Sequence, residues 1–271
     1  MGRTRVLHAA TAVLSLLLYG FLLLHATGQA QITADPVFSV KSSPLPVGEV
    51  VRNLQQKNAQ RTAALEGLVG TRVYRMQYRG LPSDRDAEMV VNMMYRAPAA
   101  KQFSVVSEKG SKFIIEHVFK KLLEGEQEAA SDENRRRTAL SSENYDFALA
   151  SYEESPEGGR YILDLLPKTR NKFLYRGKIW VDAKDFAVVR IEGEPGKNPS
   201  FWIKKTEIEH RYIKVNDFWL PAENHTESTT RLGGRAVLSI EYKDYKVTKA
   251  VLPDVESAHQ DPKSSRIRGI Y

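Results

Sequence analysis

The chain of 271 residues contains no cysteine, and this absence excludes several kinds of protein at once. Disulfide bonds and thiolate metal sites cannot form, and a thioether-linked lipid anchor cannot be attached near the N-terminus. The fold must therefore be stabilised by packing alone. A length of about 240 residues behind the N-terminal segment allows one sizeable core, and all-β domains often reach that length undivided.

Motifs of catalysis and of phosphate binding are also missing. The sequence contains no Gly-x-Ser-x-Gly elbow, no phosphate-binding loop and no His-Glu-x-x-His pair. We therefore expect a protein that is not an enzyme and that uses no cofactor. The 40 Lys and Arg residues exceed the 33 Asp and Glu residues only modestly, and they are scattered. Nucleic acid is for this reason not an expected partner.

One long apolar run is present, and it lies at the N-terminus. Arg3 and Arg5 precede an apolar segment from Ala12 to Leu24, and a stretch of small and polar residues follows it. This layout is typical of a secretory signal. We predict a signal peptide over residues 1–30 and a periplasmic location; an uncleaved membrane anchor is the alternative.

The rest of the chain divides into three parts. Residues 31–45 are predicted to be a linker, residues 46–250 one folded domain and residues 251–271 a flexible C-terminal tail. The domain is predicted to begin with a helix that runs from Pro46 to about Leu65. The apolar stripe of this helix consists of Val47, Val50, Val51 and Leu54.

Periodicity predicts the elements that follow. Period-two alternation marks three strands, in "TRVYRMQYRG", "AEMVVNMMYRAP" and "KQFSVVSEKG". A change to steps of three and four residues predicts a helix from Ser111 to Ala129. Its predicted stripe consists of Ile114, His117, Val118, Lys121 and Leu122. About seven strands begin at Tyr145, and short turns between them predict antiparallel neighbours, with the two helices covering one face of the sheet.

Two segments carry a resemblance to a known family. The segment "YILDLLPKTRNKFLYRGKIWVDAKDFAVVRIEGEP" resembles the C-terminal half of the periplasmic lipoprotein-carrier proteins, the LolA/LolB-like superfamily. The shared features are a strand ending in Pro-Lys, a strand ending in a hydrophobic residue and Asp, a turn, and a strand of alternating apolar residues. Upstream, "MMYRAPAAKQFSVV" is similar to the family's strand that ends in Arg-Pro and the aromatic strand after it.

The resemblance implies a fold and a function. The implied fold is mainly β (α+β): an unclosed antiparallel half-barrel of about ten strands, with helices over its apolar concave face. The implied function is transport of lipids or lipoproteins to the outer membrane, with their acyl chains held in the cavity. A donor at the inner membrane and an acceptor at the outer membrane are the implied protein partners, and we expect a monomer. The family arginine that helps to hold the helical lid matches Arg96 best, although Ala97 intervenes before Pro98.

Alternation along the strands predicts which residues line the cavity. Three of them are methionines, whose flexible thioether side chains suit promiscuous apolar binding surfaces as well as ordinary cores. The predicted lipid-binding residues are Met76, Met89, Val91, Met93, Tyr95, Phe103, Leu163, Leu165, Val189, Ile191, Ile208, Tyr212, Leu238 and Ile240.

Two alternative functions stay open at this point. The first is an envelope sensor or scaffold that binds a protein partner with the same fold. The second is a metal-dependent hydrolase, because Glu223, His225 and Glu227 share one strand face. A solvent-facing side of an antiparallel sheet explains that spacing better. We interpret His117 and His210 as partly buried structural histidines.

Overall fold

The structure is a computed structural model, and it describes residues 44–98, 100–129, 136–154, 158–171, 173–198, 201 and 203–249. The predicted signal peptide, most of the predicted linker and the predicted C-terminal tail lie outside the described residues. None of the described helices has both the length and the apolar character that are needed to span a membrane.

Helix α1 (Val47–Ala64) begins directly after Pro46, as predicted. Proline suits the start of a helix because its ring fixes the backbone angle φ near the helical value. The carbonyl of Pro46 accepts a hydrogen bond from the N–H of Val50 at 3.1 Å. Val50, Val51 and Leu54 are buried, so the first half of α1 packs on the sheet through the predicted stripe.

The remaining elements follow in the predicted order of three strands, one helix and seven strands. Helix α2 consists of an α-helical start (Lys112–Ile114), a π-helical turn (Ile115–Phe119) and an α-helical end (Lys120–Ala129). The strands are β1 (Leu65–Arg79), β2 (Arg85–Arg96), β3 (Ala100–Gly110), β4 (Tyr145–Glu153), β5 (Arg160–Pro167), β6 (Tyr175–Asp182), β7 (Val188–Pro195), β8 (Ile203–Val215), β9 (Phe218–Thr230) and β10 (Arg235–Lys249).

All ten strands form one antiparallel sheet in the order β3-β2-β1-β10-β9-β8-β7-β6-β5-β4. Strands β4 to β10 are a meander, and the three N-terminal strands join it where β1 pairs with β10. This pairing places Tyr74 opposite Ile240 and Met76 opposite Leu238. Strands β3 and β4 lie at the two edges, so the sheet is not closed. The predicted fold class is confirmed.

The sheet curves around the two helices. Laid flat, ten strands about 4.8 Å apart would span about 43 Å. Met89 of β2 and Leu163 of β5, which lie near opposite edges, nevertheless share one hydrophobic core with Val50 of α1 and Val118 of α2. One face of the sheet is therefore concave, and α1 and α2 cover it.

Helix α2 differs from the predicted apolar stripe because it contains a π-helical turn. A π-helical turn holds more residues than an α-helical turn, so it rotates the side chains that follow it around the helix axis. His117 and Lys121 are exposed, and the ring of His117 stacks on Phe113 with 4.7 Å between ring centroids. The prediction that His117 is partly buried is therefore wrong. The buried residues of α2 are Ile114, Ile115, Val118, Phe119, Leu122, Leu123 and Glu126.

Candidate functional site

The concave face brings together all of the predicted cavity-lining residues except Val189. Met93 and Tyr95 belong to a smaller core with Phe218 and Leu220. Phe103 and Tyr212 are partly buried and pack against the cores. The residues that belong to the main core are Met76, Met89, Val91, Leu163, Leu165, Ile191, Ile208, Leu238 and Ile240. Except for Val189, the structure thus places the residues that alternation assigned to the cavity in these two cores or packed against them.

Val189 does not belong to either core because strand β7 contains a β-bulge. Ile179 pairs with Ile191, but Val181 pairs with Val188 rather than with Val189. A bulge inserts one unpaired residue and reverses the faces of the residues beyond it. Val188 is therefore buried in the main core in place of Val189, which is half-buried. The prediction that Val189 lines the concave face is corrected to Val188.

Side chains of the helices fill the concave face in this structure. Residues such as Leu54 of α1 and Phe119 of α2 lie in the same core as the lining residues, and both are fully buried. The ring of Phe119 lies 5.8 Å from that of Tyr74 on β1. We call helices α1 and α2 the lid. Because the lid occupies the concave face, a ligand can reach the lining residues only when the lid moves.

A buried ion pair ties the lid to the sheet. Arg72 of β1 and Glu126 of α2 are joined by two hydrogen bonds, from Nη1 to Oε2 at 2.5 Å and from Nη2 to Oε1 at 3.1 Å. Their side chains are 6% and 2% exposed. Lys101 of β3 donates a further hydrogen bond to Glu126 Oε1 at 2.8 Å. The guanidinium of Arg72 also lies over the rings of Phe103 and Tyr242, at 5.3 and 5.1 Å.

The surroundings keep both members of this pair charged. Burial raises the pKa of Glu126, but Arg72 and Lys101 outweigh it and lower that pKa from 4.5 to about 2. Burial likewise lowers the pKa of Arg72, but Glu126, together with Tyr74 and Tyr242, outweighs burial and raises that pKa. A buried pair of this kind is strongly destabilised when one partner is removed, because the other charge is left without compensation. The α2 end of the lid is therefore held by electrostatic attraction as well as by packing.

Arg72 forms the ion pair with the lid, whereas the resemblance suggested Arg96 as the arginine that helps to hold it. The side chain of Arg96 is exposed, because the inward-facing residues of β2 are Met93 and Tyr95 and the strand alternates. The sequence does contain a signal for Arg72. It lies two and four residues before Tyr74 and Met76, so period-two alternation places it on the same face of β1 as these two residues. Its partner Glu126 lies four residues beyond Leu122 in α2, but nothing in the sequence joins the two segments.

Helix α1 has a polar contact of its own with the sheet. Arg61 donates hydrogen bonds to the backbone carbonyl of Asp185, in the turn between β6 and β7, and to Asn58 at 3.1 Å. The carboxylate of Asp185 accepts hydrogen bonds from Lys214 at 2.5 Å and from Trp219 Nε1 at 2.9 Å. The lid is thus tied to the sheet through α1 at one turn and through α2 at the Glu126 ion pair.

The convex face carries the residues of the alternative metal site. Glu223 and His225 are exposed, whereas Glu227 accepts two hydrogen bonds from Arg235, both at 2.6 Å. Within the described ranges, no group of three or more His, Asp or Glu residues is arranged to hold a metal ion. Glu227 is thus held in an ion pair with Arg235, and Glu223 and His225 lie exposed on a solvated sheet face, which does not favour the hydrolase alternative.

A separate surface pocket of about 540 Å³ lies where the loops before β4, between β5 and β6, and after β7 meet. None of the predicted lipid-binding residues lines it. Its lining consists of Arg137, Asn144, Thr169, Arg170, Asn171, Lys197 and Asn198. This pocket is polar and basic, so it does not suit an acyl chain.

No protein-family model and no curated protein matches the sequence. The structure is similar to solved structures. One is a LolA superfamily protein from Nitrosomonas europaea, which is 11% identical at a TM-score of 0.32, with 78% of this chain and 96% of that chain covered. A lipoprotein-sorting protein domain from Vibrio parahaemolyticus is 12% identical at a TM-score of 0.33, with 76% and 95% covered. A DUF1329 family protein from Desulfovibrio piger is 14% identical at a TM-score of 0.37, with 79% and 98% covered.

Two of these three descriptions name the family that the sequence resembles or the sorting of lipoproteins. Likeness at such low identity and TM-score says nothing about what this chain binds. Its function has to be inferred from the concave face, the lid and the ion pair between them.

Proposed function

We propose that this protein is an exported carrier of lipids or lipoproteins that takes up acyl chains between the concave sheet face and the lid. It would carry them through the periplasm to the outer membrane, from a donor at the inner membrane to an acceptor protein. The observation that carries the proposal is that two helices cover the apolar concave face of the sheet. Helix α2 is tied to the sheet by the Arg72–Glu126 ion pair as well as by apolar packing.

The driving force for uptake is the removal of methylene groups from water. Each buried methylene contributes about 0.8 kcal/mol, so a chain of about sixteen carbons gains on the order of 10 kcal/mol before opposing terms. Lid opening opposes uptake, because it separates Arg72 from Glu126 and uncovers residues such as Leu238. When gain and cost are of similar size, the closed empty state and the loaded state can exchange. The role needs no covalent step and no cofactor.

One observation supports the alternative of a protein-binding sensor or scaffold. Strand β3 lies at an edge of the sheet, and Val105 and Val106 on it are 43% and 58% exposed. An edge strand with exposed β-branched residues can pair with an extended segment of another protein. Such a role would leave the concave face filled by the lid.

A direct test is to identify what the protein carries. The mature chain is purified from its own envelope, extracted with organic solvent and analysed by mass spectrometry. The proposal predicts acylated species in near-equal molar amount to the protein. A protein that is free of acyl species, and that takes up none from vesicles in vitro, would contradict the carrier function and favour the sensor alternative.

A further inference from the structure

Polar side chains lie buried in the middle of the apolar concave face. His210 of β8 pairs with Asn224 of β9, and the neighbours of this pair are Ile191 on β7 and Ile240 on β10. Apolar residues therefore border the polar ones on both sides. We call these polar residues the polar strip: Thr206, His210, Asn224, Thr226 and Ser228, each at most 7% exposed.

The members of the polar strip satisfy one another, with one exception. The hydroxyls of Thr206 and Ser228 are hydrogen-bonded at 3.0 Å. Thr226 donates to Asn224 Oδ1 at 3.3 Å, and Asn224 Nδ2 lies 2.9 Å from His210 Nδ1. The exception is His210 Nε2, which is buried and has no hydrogen-bond partner among the residues that the structure describes.

These contacts match one protonation state of the imidazole ring. With the hydroxyl of Thr226 donating to Asn224 Oδ1, the amide nitrogen of Asn224 faces His210 and donates to Nδ1. Burial lowers the pKa of His210 to about 4, which leaves the ring neutral at pH 7. A neutral imidazole that accepts at Nδ1 carries its proton on Nε2. In this protonation state, His210 Nε2–H is a buried donor that finds no acceptor among the described residues.

A purely structural role does not account for this arrangement well. A buried donor without an acceptor destabilises a fold, and an apolar side chain of similar size would avoid that loss. The ring of Tyr175 meets His210 edge to face at 5.6 Å, which encloses the histidine but supplies no oxygen acceptor to Nε2. Within the described part of the chain, the polar strip thus leaves one donor without an acceptor, on the face where the proposed cargo would lie.

We propose that the polar strip binds the carbonyl oxygen of an acyl ester or acyl amide, which accepts a hydrogen bond from His210 Nε2. The inference rests on the proposed carrier function and adds substrate specificity to it. With the carbonyl at His210, the attached hydrocarbon chain can lie along bordering apolar residues such as Ile191 and Ile240. The protein would then recognise the head of an acyl chain and would not merely shelter hydrocarbon.

The test compares lipids that differ only in the carbonyl group. Purified protein is incubated with vesicles that contain a diacyl phosphatidylcholine or the dialkyl-ether phosphatidylcholine of the same chain length, and the lipid bound to the protein is quantified. A third arm uses an N-palmitoylated peptide, which distinguishes an amide source of the carbonyl from an ester source. We expect the wild type to bind a carbonyl probe about tenfold more tightly than the ether probe. In His210→Phe this preference is expected to disappear, while ether-lipid binding is retained.

The outcomes separate this inference from the carrier function. Equal binding of ester, amide and ether probes by the wild type would overturn the carbonyl site and leave the carrier function standing. Binding of none of the probes would contradict the carrier function as well. If His210→Phe does not fold, ¹⁵N NMR of the wild type replaces it: the Nε2–H signal of His210 is expected to shift with the carbonyl probe and not with the ether probe. An unprotonated Nε2 in the free protein, or equal shifts with both probes, would overturn the site.

Discussion

At the scale of single residues, one extra position in strand β7 decides which of two adjacent valines contributes to the core. Val188 is buried opposite Val181, whereas Val189 is half-buried and belongs to neither core. Alternation counted back from Ile191 gives the opposite assignment. A bulge leaves no mark in a run of β-branched residues, so this error could not be avoided from the sequence.

The same isosteric change at the two valines tests the bulge. We expect Val188→Thr to lower the free energy of unfolding by about 1–2 kcal/mol, because it places an unpaired hydroxyl in the core. We expect Val189→Thr to change it by less than about 0.5 kcal/mol. Urea denaturation of both variants measures the difference. The reverse order would mean that Val189 faces the core and that β7 has no bulge.

At the scale of elements, helix α2 shows what the sequence can and cannot predict. The change of period from two to three and four residues predicts its range, Ser111 to Ala129, and the structure agrees within one residue. The π-helical turn is not visible in the sequence, so the predicted stripe includes His117 and omits Phe119. The ion pair between Glu126 and Arg72 also cannot be predicted from the sequence. Arg72 lies on a strand that is distant in the chain, and only the tertiary fold brings the two residues together.

The Glu126 ion pair predicts a specific dependence of stability on pH. At pH 7, Glu126→Gln is expected to lower the free energy of unfolding by about 3 kcal/mol, because Arg72 stays buried without its carboxylate. The pKa of Glu126 is lowered in the folded protein, from 4.5 to about 2. Its stabilising effect is therefore complete above pH 4.5 and is lost as the pH falls towards 2. The difference between wild type and variant should shrink over that range.

Urea denaturation at pH 7, 4.5 and 2.5 measures this difference. Glu124→Gln serves as the matched control on the same helix, because Glu124 and its partner Lys121 are both more than half exposed. The control should change the free energy of unfolding by less than about 0.5 kcal/mol at each pH. A difference for Glu126→Gln that stays constant from pH 7 to 2.5 would show that the ion pair does not titrate as described.

At the scale of the whole molecule, the order of elements and the antiparallel meander follow from the sequence. Short turns without intervening helices make β4 to β10 antiparallel neighbours, and the two predicted helices are available to cover one face. The pairing of β1 with β10 is different, because it joins distant parts of the chain by long-range packing. That pairing makes the sheet wide enough to curve around the lid, and it joins Met76 of β1 and Met89 and Met93 of β2 to the concave face.

The central claim is that an acyl chain binds between the concave face and the lid, and photochemical cross-linking tests it most directly. A palmitate analogue with a diazirine in mid-chain is irradiated with the protein, and fragmentation mass spectrometry locates the modified residues. Strand β10 supplies its own control, because Leu238 and Ile240 face the core whereas Val237 and Glu241 do not. We predict cross-links at Leu238, Ile240 and the core residues of α2, and their loss when excess palmitate competes. Cross-links confined to Val237, Glu241 or other convex residues, or insensitive to competition, would contradict the account.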